Sequence, residues 1–253
     1  MPDKLAIKVT NLSGGYESNQ ILKDLNLEIK SGSFVAIAGP NGSGKSTLLK
    51  YLIHELECQK ASIMFFDHDI NKMRQREIAK LISFEGQYIR CDQEFTVSEA
   101  IALGRYAYGD ENSSEKLVQQ ALEKVGILDL KDRLITQISG GEFQLAMLAR
   151  TICQDTQILA LDEPVNNLDP KHQKQLLTLL SQLSREGKTI LCVLHDLNAI
   201  LSHCTDCIII KAGKIYAKGK TEEVLTETTI KEVYDLEVQL FENPANGKKI
   251  VFF

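Results

Sequence analysis

The stretch Phe34-Val-Ala-Ile-Ala-Gly-Pro-Asn-Gly-Ser-Gly-Lys-Ser-Thr47 constrains this chain more than any other. Its apolar run, 34–38, reads as a buried strand that stops at Gly39, and a helix-compatible run follows from Ser46. Between the two, Gly39, Gly44, Lys45 and Ser46 fit the spacing G-x-x-x-x-G-K-[ST]. Glycines let the backbone N–H groups curl into a concave nest, and the next helix begins with its positive dipole end toward that nest. Lys45 is placed to reach β- and γ-phosphates, and the Ser46 hydroxyl to ligate Mg²⁺. At average residue frequencies these four positions recur by chance in about one chain of this length in a hundred. The strand before and the helix after make chance rarer still. The loop predicts a nucleotide; it does not say what the nucleotide is for.

Further along, Ile158-Leu-Ala-Leu161 is a second apolar strand, and it delivers Asp162-Glu163 and then Pro164. An α/β sheet places its chemistry at the carboxyl ends of such strands. With the loop upstream, the pair reads as a Walker B element, Asp162 for Mg²⁺ and Glu163 for an attacking water. His195 closes another core strand, 189–194, and fits either a structural role or a γ-phosphate contact. Ser139-Gly140-Gly141 opens a helix, where a plain N-cap and a second anion site fit equally. Tyr16 ends the first alternating run and is an edge aromatic by that pattern alone, while His172 lies on a helix with no such placement and reads as structural.

The remaining pattern gives the architecture. Leu5, Ile7 and Val9 alternate with polar residues, as do Leu25, Leu27 and Ile29, which predicts antiparallel strands leading into an α/β core. A polar helix is predicted over 71–81 and a short strand over 82–84. From 87 to about 157 the texture turns helical, with a capping box at Thr96–Glu99 and helical spacing from Leu117 to Val125. The tail predicts strands, a short helix over 229–234 and a terminal hairpin around 243–247. The expected fold is therefore α/β: one domain over 1–253, a P-loop NTPase core at about 1–86 and 158–253 that includes an N-terminal antiparallel β subdomain, and a helical subdomain inserted at about 87–157. The net charge of −5 argues against a nucleic-acid partner. No apolar run approaches the ~20 residues that span a bilayer, and Met1-Pro-Asp-Lys4 does not resemble a signal peptide, so a soluble intracellular protein is expected. The six cysteines are scattered and read as small hydrophobes, Cys204 and Cys207 included.

Phosphate loop, Gln87, Ser139-Gly-Gly-Glu142, Asp162-Glu163, Asn166-Asn-Leu-Asp169 and His195 occur in that order. The whole chain thereby resembles the nucleotide-binding subunit of an ABC transporter. The resemblance implies that Tyr16 stacks on adenine and that Gly39, Pro40, Asn41, Gly42, Ser43, Gly44, Lys45, Ser46 and Thr47 hold the phosphates of ATP. It implies Ser46, Gln87 and Asp162 around Mg²⁺, Glu163 polarising the water, and His195 on the γ-phosphate. Gln87 and Lys45 join Glu163 and His195 as residues implied in hydrolysis of ATP to ADP and phosphate. Ser139, Gly140 and Gly141 would act in trans, on ATP held by a second copy, and Asp169 lies on the loop between the two sites. Ile138 and Glu142 stand where Leu and Gln are commonest, and Val165-Asn-Asn167 replaces a run of small residues; small effects on dimer communication are expected.

Thr96 to Tyr106, Leu168 to Gln173, Val233-Tyr234 and Glu242 to Gly247 are similar to importers of iron–siderophore, haem and cobalamin. This resemblance implies a translocase subunit, most of all for an iron(III) chelate, and otherwise for haem, cobalamin or zinc and manganese. It further implies a homodimer, a separate membrane permease, an extracytoplasmic binding protein acting indirectly, and a place at the cytoplasmic face of the membrane. A non-transport ABC ATPase is the reading from another class; no heptads of the DNA-repair type interrupt the chain.

Overall fold

The computed structural model describes residues 4–17, 19–57, 61–86, 94–109, 114–166, 168–244 and 247–252. In chain order, β1 (Leu5–Tyr16) and β2 (Asn19–Lys30) form an antiparallel pair, followed by β3 (Phe34–Ala38) and α1 (Lys45–Leu52). Next come β4 (Ser62–Phe65), β5 (His68–Asp69), α2 (Gln75–Ile78) and β6 (Ile82–Glu85). Helices α3 (Val97–Ala102), α4 (Ser114–Val125) and α5 (Gly140–Cys153) precede β7 (Ile158–Asp162), α6 (Pro170–Arg185) and β8 (Thr189–Val193). The chain ends with α7 (Leu197–His203), β9 (Asp206–Lys211), β10 (Lys214–Lys220), α8 (Thr221–Val224), α9 (Glu227–Tyr234) and the hairpin of β11 (Gln239–Glu242) and β12 (Lys249–Phe252).

Two sheets carry these elements. The first, β2-β1-β4-β5, is antiparallel; the second, β10-β9-β3-β8-β7-β6, is parallel from β9 to β6. The apolar runs are continuous because the second sheet is covered on both faces. Phe34, Ala36 and Ala38 face a core shared with α3 to α7, while Val35 and Ile37 face a second core shared with α1, β1 and β2. The same alternation splits Leu159 and Leu161 from Ile158 and Ala160. The loops after β3, β7 and β8 therefore leave from strands with a neighbour on each side, which fixes the Asp162 and His195 positions relative to Gly39. The α/β class with its antiparallel subdomain and helical segment is as the sequence predicts.

One element departs from expectation. The helix predicted over 71–81 reduces to a 3₁₀ turn, Ile70–Lys72, and the short α2. The Asp69 carboxylate accepts from Asn71 N at 3.1 Å, the Asn71 side chain donates to Ala61 O at 2.9 Å, and Arg74 is extended at ψ 150. Local capping and a tie back to Ala61, the residue before β4, outcompete a continuous helix. Cys153, Cys192, Cys204 and Cys207 are buried, and burial pushes the Cys207 thiol up to about 12, which suits the small-hydrophobe reading. Among the described residues no helix is long and apolar enough to cross a membrane.

The turn between β9 and β10 is tied to the first sheet beside the phosphate loop. Gly213, at φ +79, donates its N–H to Ser43 O at 3.1 Å and accepts from Lys23 N at 2.8 Å. A Cβ there would stand 1.8 Å from Ile21 O, so no side chain fits without moving the backbone. Gly213→Ala is expected to cost about 1–3 kcal/mol, seen by calorimetry as a Tm lower by roughly 2–10 °C. An unchanged Tm would mean that the turn leaves β2 freely.

Candidate functional site

The loop after β3 turns through left-handed glycines, Gly39 at φ +138, Gly42 at +73 and Gly44 at +108. At Gly39 a Cβ would lie 2.0 Å from Ile210 O, so the loop can start so close to β9 only with glycine. Gly44 is the N-cap of α1, which has neither a side-chain cap nor an acidic residue in its first turn. Its first N–H groups thus face the loop with no carboxylate to satisfy them, the arrangement that favours an anion. Lys45 is 6% exposed and donates from Nζ to Gly39 O at 2.9 Å and Pro40 O at 3.0 Å. Burial lowers its pKa, and the Glu163 and Asp162 charges oppose that shift.

Asp162 ends β7 with 6% exposure. Burial raises its pKa, while a hydrogen bond from Ser46 and the Lys45 charge act the other way. Its Oδ1 has no partner among the described residues. A buried carboxylate oxygen without a partner, next to the Ser46 hydroxyl, is a hard-oxygen donor set that fits Mg²⁺. Glu163 follows at φ +56, a left-handed conformation that costs roughly 1–3 kcal/mol for a residue with a side chain. Both of its carboxylate oxygens are engaged: Oε1 lies 2.6 Å from His195 Nε2, and Oε2 accepts from the Asn166 amide. An open cleft of about 610 Å³ is lined by Ile21, Gly42, Lys45, Ser46, Glu163 and His195, with Asn41, Gly44 and Thr47 completing its wall.

Tyr16, Ser139 and Asp169 are not among the residues that line this cleft. Tyr16 stands at the end of β1, 39% exposed, with Lys50 Nζ of α1 5.5 Å from its ring centroid. Gly14 supports this placement, since a Cβ there would sit 2.1 Å from the hydroxyl of the buried Tyr51. Ser139, Gly140 and Gly141 do not line the cleft. They begin α5, where Ser139 Oγ accepts from Glu142 N at 3.3 Å and Glu142 Oε2 accepts from Ser139 N at 2.7 Å. Glu142, read from sequence as a mere variant, closes a capping box, and that bond holds its carboxyl below the usual range. Asp169 caps α6 and pairs with His172, Oδ2 to Nδ1 2.6 Å, which accounts for His172 as a structural residue. Gln87 lies outside the described residues.

Three contributors escaped the sequence reading. Asn166 holds Glu163; its signal was the Asn pair after Pro164, visible only as a departure from pattern. Ile21 lines the cleft from the start of β2, where its partial burial looks like any strand residue. Gln173 donates to Val165 O at 3.2 Å and Leu168 O at 3.0 Å, bracing the loop that carries Asn166.

The family described as ABC transporter matches residues 22–166. YvrA of Bacillus subtilis (strain 168), an uncharacterized ABC transporter ATP-binding protein, is 35% identical over 97% of this chain, which spans 57% of that relative's length. The ferric enterobactin transport ATP-binding protein FepC of Escherichia coli (strain K12) is 35% identical over 95% of this chain and 91% of its own. The solved ADP conformation of MJ1267, an ATP-binding cassette of an ABC transporter, has a TM-score of 0.80 at 23% identity over 92% of this chain and 99% of that one, a likeness of fold. With a phosphate loop, a paired-carboxylate strand end and a capped Ser-Gly-Gly helix on this fold, the chain belongs to the ABC transporter family, among its ATP-binding proteins.

Proposed function

We propose that this chain hydrolyses ATP as the nucleotide-binding subunit of an importer for iron(III)-chelate complexes. The observation that carries hydrolysis is the Glu163 carboxylate, gripped by His195 and Asn166 at the mouth of the phosphate cleft. In this reading Tyr16 stacks on adenine, and the N–H groups of 39–47 with Lys45 hold the phosphates. Glu163 orients the water, and His195 donates to the γ-phosphate. Ser46, Asp162 and Gln87 would hold Mg²⁺, which neutralises charge on the β- and γ-phosphates. The domain is one unit over 1–253, with residues 87–157 as its helical part.

Phosphoryl transfer needs charge stabilisation on three oxygens. Since Ser139 to Gly141 stand away from the cleft of their own chain, a second copy would bring its capped helix start against the γ-phosphate, with Asp169 between the two sites. A groove of about 680 Å³, lined by Arg76, Leu103, Arg105, Tyr106 and Ser114, suits a cytoplasmic element of the permease. Tyr106 is 88% and Leu103 49% exposed there, apolar surface of the kind that marks a docking face. Docking there would keep the chain peripheral on the cytoplasmic face, with an extracytoplasmic binding protein as an indirect partner across the permease. The cargo rests on FepC, whose name is ferric enterobactin transport, and on the segment 96–106.

Uptake of radiolabelled ferric siderophore by cells lacking this gene tests the cargo. Loss of that uptake with cobalamin and haem uptake preserved is the expected result. Loss of cobalamin or haem uptake instead would transfer the protein to those importers, and unchanged uptake of all three would remove it from the group.

A further inference from the structure

Helix α5 is tied to the edge strand β6 at two heights. Near its carboxyl end Gln154 donates to Ala79 O, just past α2, at 2.6 Å and to Ile82 O, at the first residue of β6, at 3.3 Å. Nearer the Ser139 end, Gln144 Nε2 donates to Glu85 Oε1 at 2.5 Å. Glu85 is the last residue of β6, 2% exposed, and its other oxygen, Oε2, has no partner among the described residues. Burial pushes its pKa up to about 8, and the charge of Arg150, further along the same helix, acts the other way. Burying a carboxyl with a half-satisfied hydrogen-bonding set is costly, and an apolar residue would fill a strand end at no such cost. The contact that distinguishes Glu85 from an apolar filler is its bond to Gln144.

We propose that Glu85 is a positioning residue for the Ser139 end of α5, a strut that sets where the helix start stands relative to the strand leading into Gly86 and Gln87. This rests on the reading in which that helix start acts on ATP in a second copy. With Gln154 as the pivot, Gln144 lies about 15 Å along the axis and the Ser139 end about 22 Å at 1.5 Å per residue. One ångström of slack at the strut becomes roughly 1.5 Å at the tip. Misplacement of that size at a reacting centre lowers rates by as much as about 10²-fold. The P-loop is untouched, so nucleotide binding by one chain does not depend on the strut.

Three variants of the full chain test it, Glu85→Leu, Glu85→Gln and Gln144→Leu, each by steady-state ATPase and by titration with a fluorescent ATP analogue. Glu85→Leu and Gln144→Leu are expected to lower kcat roughly 10- to 100-fold with nucleotide Kd within about twofold. Their combination should be no worse than either alone, because both remove one bond. Glu85→Gln keeps an oxygen acceptor for Gln144 and is expected to restore most of the turnover. Turnover near the unsubstituted value in both leucine variants would overturn the strut while leaving hydrolysis intact, as would a Glu85→Gln variant as slow as Glu85→Leu. If the unsubstituted chain itself hydrolyses no ATP, the hydrolytic reading and the strut fall together. Gln144→Leu, on the helix side, covers the case in which substitutions at Glu85 fail to fold.

Discussion

Glu163→Gln is expected to bind ATP normally, to hydrolyse it roughly 10²–10⁴-fold more slowly, and to elute from gel filtration as a dimer when ATP is present. The substitution is close to isosteric. It keeps one oxygen that can face His195 and leaves the left-handed turn at 163 in place, while its NH₂ can meet Asn166 once that side-chain amide turns its oxygen inward. What it removes is the negative, proton-accepting character needed to orient and deprotonate a water. The separation of binding from turnover decides the matter: Lys45, Ser46 and the loop N–H groups hold phosphate without Glu163. A variant that turns ATP over at the unsubstituted rate would move the water-orienting role elsewhere.

Mixing two inactive variants reads the composite site directly. Lys45→Ala disables the phosphate cradle of its own chain, and Ser139→Arg pushes a large cation into the capped helix start. A heterodimer of the two pairs one intact cradle with one intact Ser139 start, so it should recover activity well above either parent. Charge-stabilising contacts supplied in trans are worth roughly 10³–10⁵ in comparable phosphoryl-transfer systems. Even one restored site per mixed dimer should therefore dominate the measured rate. A mixture no faster than its components would place the missing stabilisation within a single chain.

The legible parts of the sequence were those where chemistry and local geometry coincide. The strand at 34–38 and the glycines after it can hardly do anything else, and Asp162-Glu163 inherits its meaning from the strand that delivers it. The helix expected over 71–81 failed because Asn71 is drawn to Ala61 O, ten residues back and just before β4, a contact that no local pattern encodes. Asn166 and Gln173 act through a loop conformation, and neither residue type has a periodicity to betray it. In the sequence Glu85 simply follows the short strand expected over 82–84. Only the packing of α5 over β6, decided by residues some sixty positions later, buries it.

The neighbours of β3 have a consequence for how the protein is made. Although the phosphate loop is contiguous in sequence, β3 lies between β8 and β9, and the loop is latched by Gly213. On the ribosome, Ala38 must wait for about 150 further residues before a parallel neighbour emerges, roughly 8–30 s at 5–20 residues per second. During that interval an apolar five-residue strand has no sheet to join, and the nest that grips phosphate has no fixed shape. Nucleotide therefore cannot template the early chain; it can reward only a nearly finished one. A truncated product ending before 189 would expose Phe34 to Ala38, an edge that favours aggregation over ATP.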